Sequence, residues 1–227
     1  MGKKRTAILL LILSVLLSCG AGCQDSGKYA VSGKASTLGL GGEFTTAVRS
    51  DINARVGLNM LDFDIDEEEI EDIEYDIELD FSSFSALADW YVFNGSFRIS
   101  GGVISMDHEV DLRARGASGE TEEIGDIEYD WDDIGTLSGC VEIDDVAPYV
   151  GIGWGNPLTS SRRWGFTCDL GVAFTSSPDV KLSANALNPA IADALSADLE
   201  KERKDIEDDL DKFELYPVIA VSFFYRF

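Results

Sequence analysis

The sequence predicts an all-β chain: an eight-stranded antiparallel up-and-down transmembrane β-barrel with one helix in its last external loop. Three observations lead there. The last fourteen residues, ELYPVIAVSFFYRF, carry an apolar residue at every second position counting back from Phe227, the pattern of a strand with two unlike faces. Further strand-like runs recur along the chain, separated by turn signals and acidic excursions. No internal stretch reaches the roughly 18 apolar residues a membrane helix requires, so insertion has to be by barrel.

Eight strands can be placed in order. They are 29–36 (YAVSGKAS), 38–48 (LGLGGEFTTAV), 52–62 (INARVGLNMLD), 82–93 (SSFSALADWYVF), 97–106 (FRISGGVISM), 146–156 (VAPYVGIGWGN), 163–175 (RWGFTCDLGVAFT) and 214–227. Most have ten or more residues, the length a tilted strand needs to cross the hydrocarbon layer. From the second strand onward the connections alternate in size. Residues 49–51, 94–96 and 157–162 are short, and Asn94-Gly95 is a tight-turn signal. The other three are long and acidic, and short turns on one side with long loops on the other is the pattern of an outer-membrane barrel.

Aromatic placement supplies an independent check. Trp90, Phe97, Trp154, Trp164 and Phe227 all fall beside the short turns and would form one interfacial girdle on the periplasmic side. Alternation assigns the faces. Val56, Leu58, Met60, Ala86, Ala88, Val150, Ile152, Phe166, Cys168, Leu170 and Val172 fall on the outward registers. Lys34, Glu43, Arg55, Asp89, Arg98 and Asp169 fall on inward ones, three bases against three acids. An eight-stranded barrel has just enough interior for side chains, and buried charges persist only when paired. The expectation is a largely closed lumen filled by a salt-bridged polar network.

The chain carries 42 acidic and 18 basic residues, a formal net charge of −24. That balance disfavours nucleic acid and anionic surfaces as partners. Segment 62–80 holds 12 acids and no base, 107–145 holds 14 acids and 178–214 holds 11; all three read as external loops. Within the last, 188–213 is a helix by pattern: Asn188 caps it, Pro189 suits its first position, and Ile191, Leu195, Leu199, Ile206, Leu210 and Phe213 form an apolar stripe. The helix could pack on the rim or neighbouring loops, bind a partner, or plug the lumen.

The N-terminus reads as an export signal over 1–23, with Lys3, Lys4 and Arg5 before an apolar run, and 24–227 as the barrel domain. Cleavage has two readings: Leu16-Leu17-Ser18-Cys19 as a lipobox that would leave Cys19 acylated, or an ordinary site after Ala21-Gly22-Cys23. Cys168 falls mid-strand on the lipid face and Cys140 in a loop at the other end, so no disulfide is expected between them. No cofactor and no metal set is expected, since one histidine and scattered cysteines cannot build a zinc site. Asp62, Asp64 and Asp66 lack the glycine turn and spaced glutamate of a calcium loop. Weak calcium or magnesium binding that bridges to lipopolysaccharide phosphates is the sharper alternative to a plain solvated surface. His108 reads as an exposed loop histidine beside Asp107, three residues from Ser105, and the chain is not expected to be an enzyme.

The stretches FSALADWYVFNGSFRISGGV, APYVGIGWGNP, RRWGFTCDLGVAF and the terminal YPVIAVSFFYRF resemble the small outer-membrane β-barrel proteins of Gram-negative bacteria, over about 29–227 without the loop interiors. They are also similar to the transmembrane half of outer membrane protein A, without its peptidoglycan-binding domain, so a cell-wall tether is not expected. The resemblance implies a monomer in the bacterial cell outer membrane, in contact with outer-membrane lipids and lipopolysaccharide and inserted by the barrel assembly machinery. It carries no catalytic residues. The expected role is structural or surface interaction. The alternatives are a small porin-like channel for solutes and a lipid-anchored soluble β-barrel that binds a small ligand.

Overall fold

The structure, a computed structural model, describes residues 28–70, 73–93, 95–159, 162–210 and 214–227. The export signal, with Cys19 and Cys23, lies outside the described residues, as do Asn94 and Phe213. The elements are β1 (Tyr29–Ser36), β2 (Gly39–Ala47), β3 (Ile52–Ile70), β4 (Ile73–Trp90), β5 (Phe97–Gly116), β6 (Thr121–Ile124), β7 (Ile127–Asp130), α1 (Trp131–Ile134), β8 (Leu137–Trp154), β9 (Trp164–Phe174), β10 (Asp179–Ala184), α2 (Ala192–Leu210) and β11 (Leu215–Arg226).

Eight of these strands close a barrel in chain order, β1-β2-β3-β4-β5-β8-β9-β11, every neighbouring pair antiparallel. Closure comes from β11 returning to β1, from Ala30 opposite Arg226 to Ser36 opposite Ala220. Strict alternation in β9 and β11 drives this: their odd and even positions alternate between buried and exposed along nearly the whole strand.

The long acidic segments are corrected by the structure. Segment 62–80 is no loop: β3 and β4 continue through it as a hairpin, with Asp62 opposite Asp80 and Asp64 opposite Glu78. Segment 107–145 begins and ends as strand, because β5 runs on to Gly116 and β8 starts at Leu137. Segment 178–214 supplies β10 and α2, and β10 pairs with the outer half of β8 where β9 no longer reaches. The physical reason was present in the residues. Asp62-Phe63-Asp64-Ile65 and Tyr75-Asp76-Ile77-Glu78-Leu79-Asp80-Phe81 keep the two-residue period, so one face stays apolar however many acids the other holds.

Four barrel strands therefore rise past the rest as a wall, and a cap packs on its inner side. Ala114 of β5, Ile124, Tyr129, Trp131, Ile134, Leu195 and Leu199 form a buried cluster, joined by the half-buried Ile73, Tyr75, Leu137 and Leu182. The helix expected over 188–213 is α2, which starts at Ala192. Asn188 instead nucleates the turn before it, its Oδ1 accepting from Ala190 N at 3.0 Å and its carbonyl from Ile191 N at 3.3 Å. Of the expected stripe, Leu195 and Leu199 are buried in the cap, and Ile191 packs against it.

Candidate functional site

All six inward charges meet in one network in the half of the barrel nearer the short turns. Arg55 is the hub. Its Nε lies 2.7 Å from Asp89 Oδ2, its Nη1 3.3 Å from Glu43 Oε1, and its Nη2 3.2 Å from Asp169 Oδ1. Arg98 Nη2 donates to both Asp169 oxygens at 2.7 and 2.8 Å, and its Nε stands 3.7 Å from Asp89. Lys34 Nζ is 3.8 Å from Glu43, and Ser100 donates to Asp89 at 2.6 Å. Each of the six charged residues is at most 8 % exposed. Two planar guanidiniums can satisfy several carboxylates at once because each presents a fixed fork of donors. Gly153 makes the room: a Cβ there would lie 2.7 Å from both Arg98 Nε and Asp169 Oδ1.

The interior is not polar throughout, which corrects the sequence expectation. Beyond the network, Leu38, Leu87, Ile104, Met106, Tyr149 and Val218 form a buried apolar layer with Tyr216 against it. All but Leu38 (in the β1–β2 turn) stand on strand positions that alternate with lipid-facing neighbours. The same parity count that found the charges could have found them. His108 is also corrected. It is 3 % exposed on β5, stacked on Phe81 at 4.5 Å and edge-on to Tyr216 at 5.5 Å. Ser105, an odd number of positions away, stands on the opposite face of the strand, so the two cannot act as a nucleophile and base.

Outside, an apolar belt encircles the barrel: Val56, Met60, Val103, Val150, Ile152, Leu170, Ile219 and Val221 are all well exposed. On β5 it ends at Ser105 and Asp107, so His108 and everything after it lie beyond the spanning segments. At the short-turn end, Phe97 pairs with Trp154 with ring centroids 5.9 Å apart, and Trp164 pairs with Tyr225. Trp90 is opposite Ile52 and Ile99, and Phe227 stacks on Tyr29 at 6.4 Å. Tyr29, Phe93 and Phe223 belong to the same rim, which only their cross-strand neighbours reveal.

The wall beyond the belt has two unlike faces. Its outer face carries a cross-strand row, Asp62-Asp80-Glu109-Glu142-Asp179, in directly opposed positions on five strands. A second row runs Asp64-Glu78-Asp111-Cys140-Lys181. Like charges directly opposite one another are destabilising. Lys181 relieves part of this, bonding Glu142 at 2.6 Å and holding its carboxyl below the usual range. Burial raises Glu109, with Asp111, Glu142 and Asp80 adding to the shift. Cys140, expected in a loop, sits on β8 between Asp111 and Lys181, and burial with its acidic neighbours pushes its thiol up to about 12. Glu109, Asp111 and Cys140 bring one ligand atom each within 4.8 Å of one another. Cys140 and Cys168 are both free, the latter exposed on the lipid face of β9.

No family model matches this chain, and no curated protein matches it. Among solved structures, Acinetobacter baumannii CarO2 superposes with a TM-score of 0.61 at 20 % identity, covering 88 % of this chain and 98 % of that one. Acinetobacter baumannii CarO gives a TM-score of 0.62 at 19 % identity, with 91 % and 100 % covered. The chain has the outer-membrane β-barrel fold. A closed barrel of eight antiparallel strands with an apolar outer belt and an aromatic rim is built to span a bilayer. That architecture places the protein in a bacterial outer membrane.

Proposed function

We propose that this protein is a monomeric structural or surface-interaction barrel that holds an acid-faced wall above the outer membrane, around a largely closed interior. One observation carries the reading: β3, β4, β5 and β8 continue unbroken from the belt into the wall, so the displayed face is rigidly coupled to the membrane anchor. The interior favours an anchor over a conduit. A charge network and an apolar layer lie one above the other across it, leaving a solute neither a polar path nor a wide one. Lipopolysaccharide is the partner that fits the acidic rows, through divalent cations shared with its phosphates. The barrel assembly machinery is the partner during insertion.

Two measurements test this. In planar bilayers the protein should give no steady channels; reproducible unitary steps would overturn the closed interior. In cells, the triple variant Asp80→Asn, Glu109→Gln, Glu142→Gln should assemble normally yet alter how firmly the outer membrane resists chelators. Chelator resistance unchanged from the parent would remove the acidic rows from the role.

A further inference from the structure

The inner face of the wall is apolar between the lumen and the cap. Phe63, Leu79, Phe81, Val110, Val141 and Ile143 occupy successive cross-strand rows there. They belong to neither buried cluster, and Phe63 is 54 % exposed. A large apolar ring left open on the inward side of the wall, beside half-buried apolar neighbours, is a candidate ligand contact. At the foot of this cleft sits His108, itself 97 % buried, and its Nε2 has no hydrogen-bond partner.

The cleft has a lateral entrance. The β1–β2 hairpin turns at Thr37, and its last rungs pair Ser36 with Ala220 and Leu40 with Met60. The turn itself reaches on along β11, Thr37 N donating to Ile219 O at 3.0 Å and Thr37 Oγ1 to Pro217 O at 2.9 Å. Beyond it, β3 from Asp62 on and β11 at Tyr216 and Leu215 have no strand between them, a notch about 14 Å wide at ordinary strand spacing. Its flanks are belt residues: Leu40, Met60, Leu215 and Ile219 are 44 to 65 % exposed. The lipid-facing surface is thus continuous, through the notch, with the exposed ring of Phe63. Tyr216 stands on the β11 flank, its hydroxyl donating to Thr37 O at 2.8 Å and its ring edge-on to His108.

We propose that this cleft takes a neutral single-chain amphiphile, an alkyl chain bearing one hydroxyl, which enters from the bilayer through the notch, displaces Tyr216 and hydrogen-bonds to His108 Nε2. Charge selects the class. The named inner-face residues carry no charge, and Asp145, on the same inward register of β8, already accepts from Val146 N, Ser176 N and Ser176 Oγ at 2.7, 2.8 and 3.1 Å, so an ammonium finds no free carboxylate to pair with. A carboxylate would face the acidic rows across one layer of backbone. Burial holds His108 down to about 4, so at neutral pH its imidazole is uncharged and suited to a hydroxyl.

His108 is the chain's one histidine, so its ring resonances report on this place alone. The experiment places the tag-free protein in lipid nanodiscs and follows those resonances during titration with decan-1-ol, decanoate or decylamine. Decanol should shift them saturably, at least tenfold tighter than either charged probe. Phe63→Asp should abolish the shift while boiled and unboiled samples still migrate differently on gels. Tyr216→Phe, which removes the tether to Thr37, should tighten decanol binding and serves if Phe63→Asp fails to assemble. No saturable shift, equal shifts with all three probes, or insensitivity to the variant that assembles would overturn the proposal.

Discussion

Replacing Arg55 by Met removes the hub of the interior network while keeping a long, flexible side chain. Arg55 faces Asp89 at 2.7 Å, Glu43 at 3.3 Å and Asp169 at 3.2 Å. After substitution Glu43 keeps Lys34, Asp169 keeps Arg98, and Asp89 is left with Ser100 at 2.6 Å and the distant Arg98 Nε at 3.7 Å. Three carboxylates then face two bases where every residue is nearly inaccessible. Stranding a buried charge in this way costs about 3–5 kcal/mol. Urea unfolding of the protein in lipid vesicles, followed by tryptophan fluorescence and by the mobility shift on boiling, measures it. Adding Asp169→Asn restores the charge count and should recover part of the loss, giving a coupling energy in a double-mutant cycle. A midpoint for Arg55→Met within about 0.5 kcal/mol of the parent, the size of ordinary surface changes, would refute the claim that this network is tightly paired.

Gly153→Ala forces a methyl against Arg98 and Asp169 and should cost about 1–3 kcal/mol in the urea series. Leu195→Ala empties a buried position of the cap and should expose 117–136 to protease while the mobility shift on boiling persists. The Cys140 thiol, at about 12, should alkylate at pH 8 on the order of a thousandfold slower than an ordinary thiol, and faster in Asp111→Asn; mass spectrometry of the labelled peptides reads both. His108 is depressed from 6.5 to about 4, so its contribution is complete above about pH 6.5 and is lost as pH falls toward 4. The parent should lose about 3 kcal/mol across that window relative to His108→Phe.

The barrel itself was legible in the residues. Alternation in 29–36, 163–175 and 214–227 fixes two faces with no information from elsewhere, because a strand's side chains must point to opposite sides. The same parity put Lys34, Glu43, Arg55, Asp89, Arg98 and Asp169 on one side of the wall. The extent of the acidic segments as strands is hidden by their charge. Net charge there points to a solvated loop, whereas Phe63, Ile65, Ile77, Leu79 and Phe81 alternate as regularly as the belt does.

What the chain determined by itself is the local rule: which positions pair, which face is oily, where the turns fall. Tertiary structure decided what those faces meet. Arg55 touches Asp169 across 114 positions of sequence, a partnership no local pattern specifies because only closure of β11 on β1 brings the two walls together. The burial of His108 is of the same kind. Its strand parity could be counted, but that Phe81 and Tyr216 close over it depends on β4 and β11 standing on either side of a closed ring. Alternation follows from backbone stereochemistry one residue at a time, whereas contact across a barrel exists only after the last strand has paired with the first.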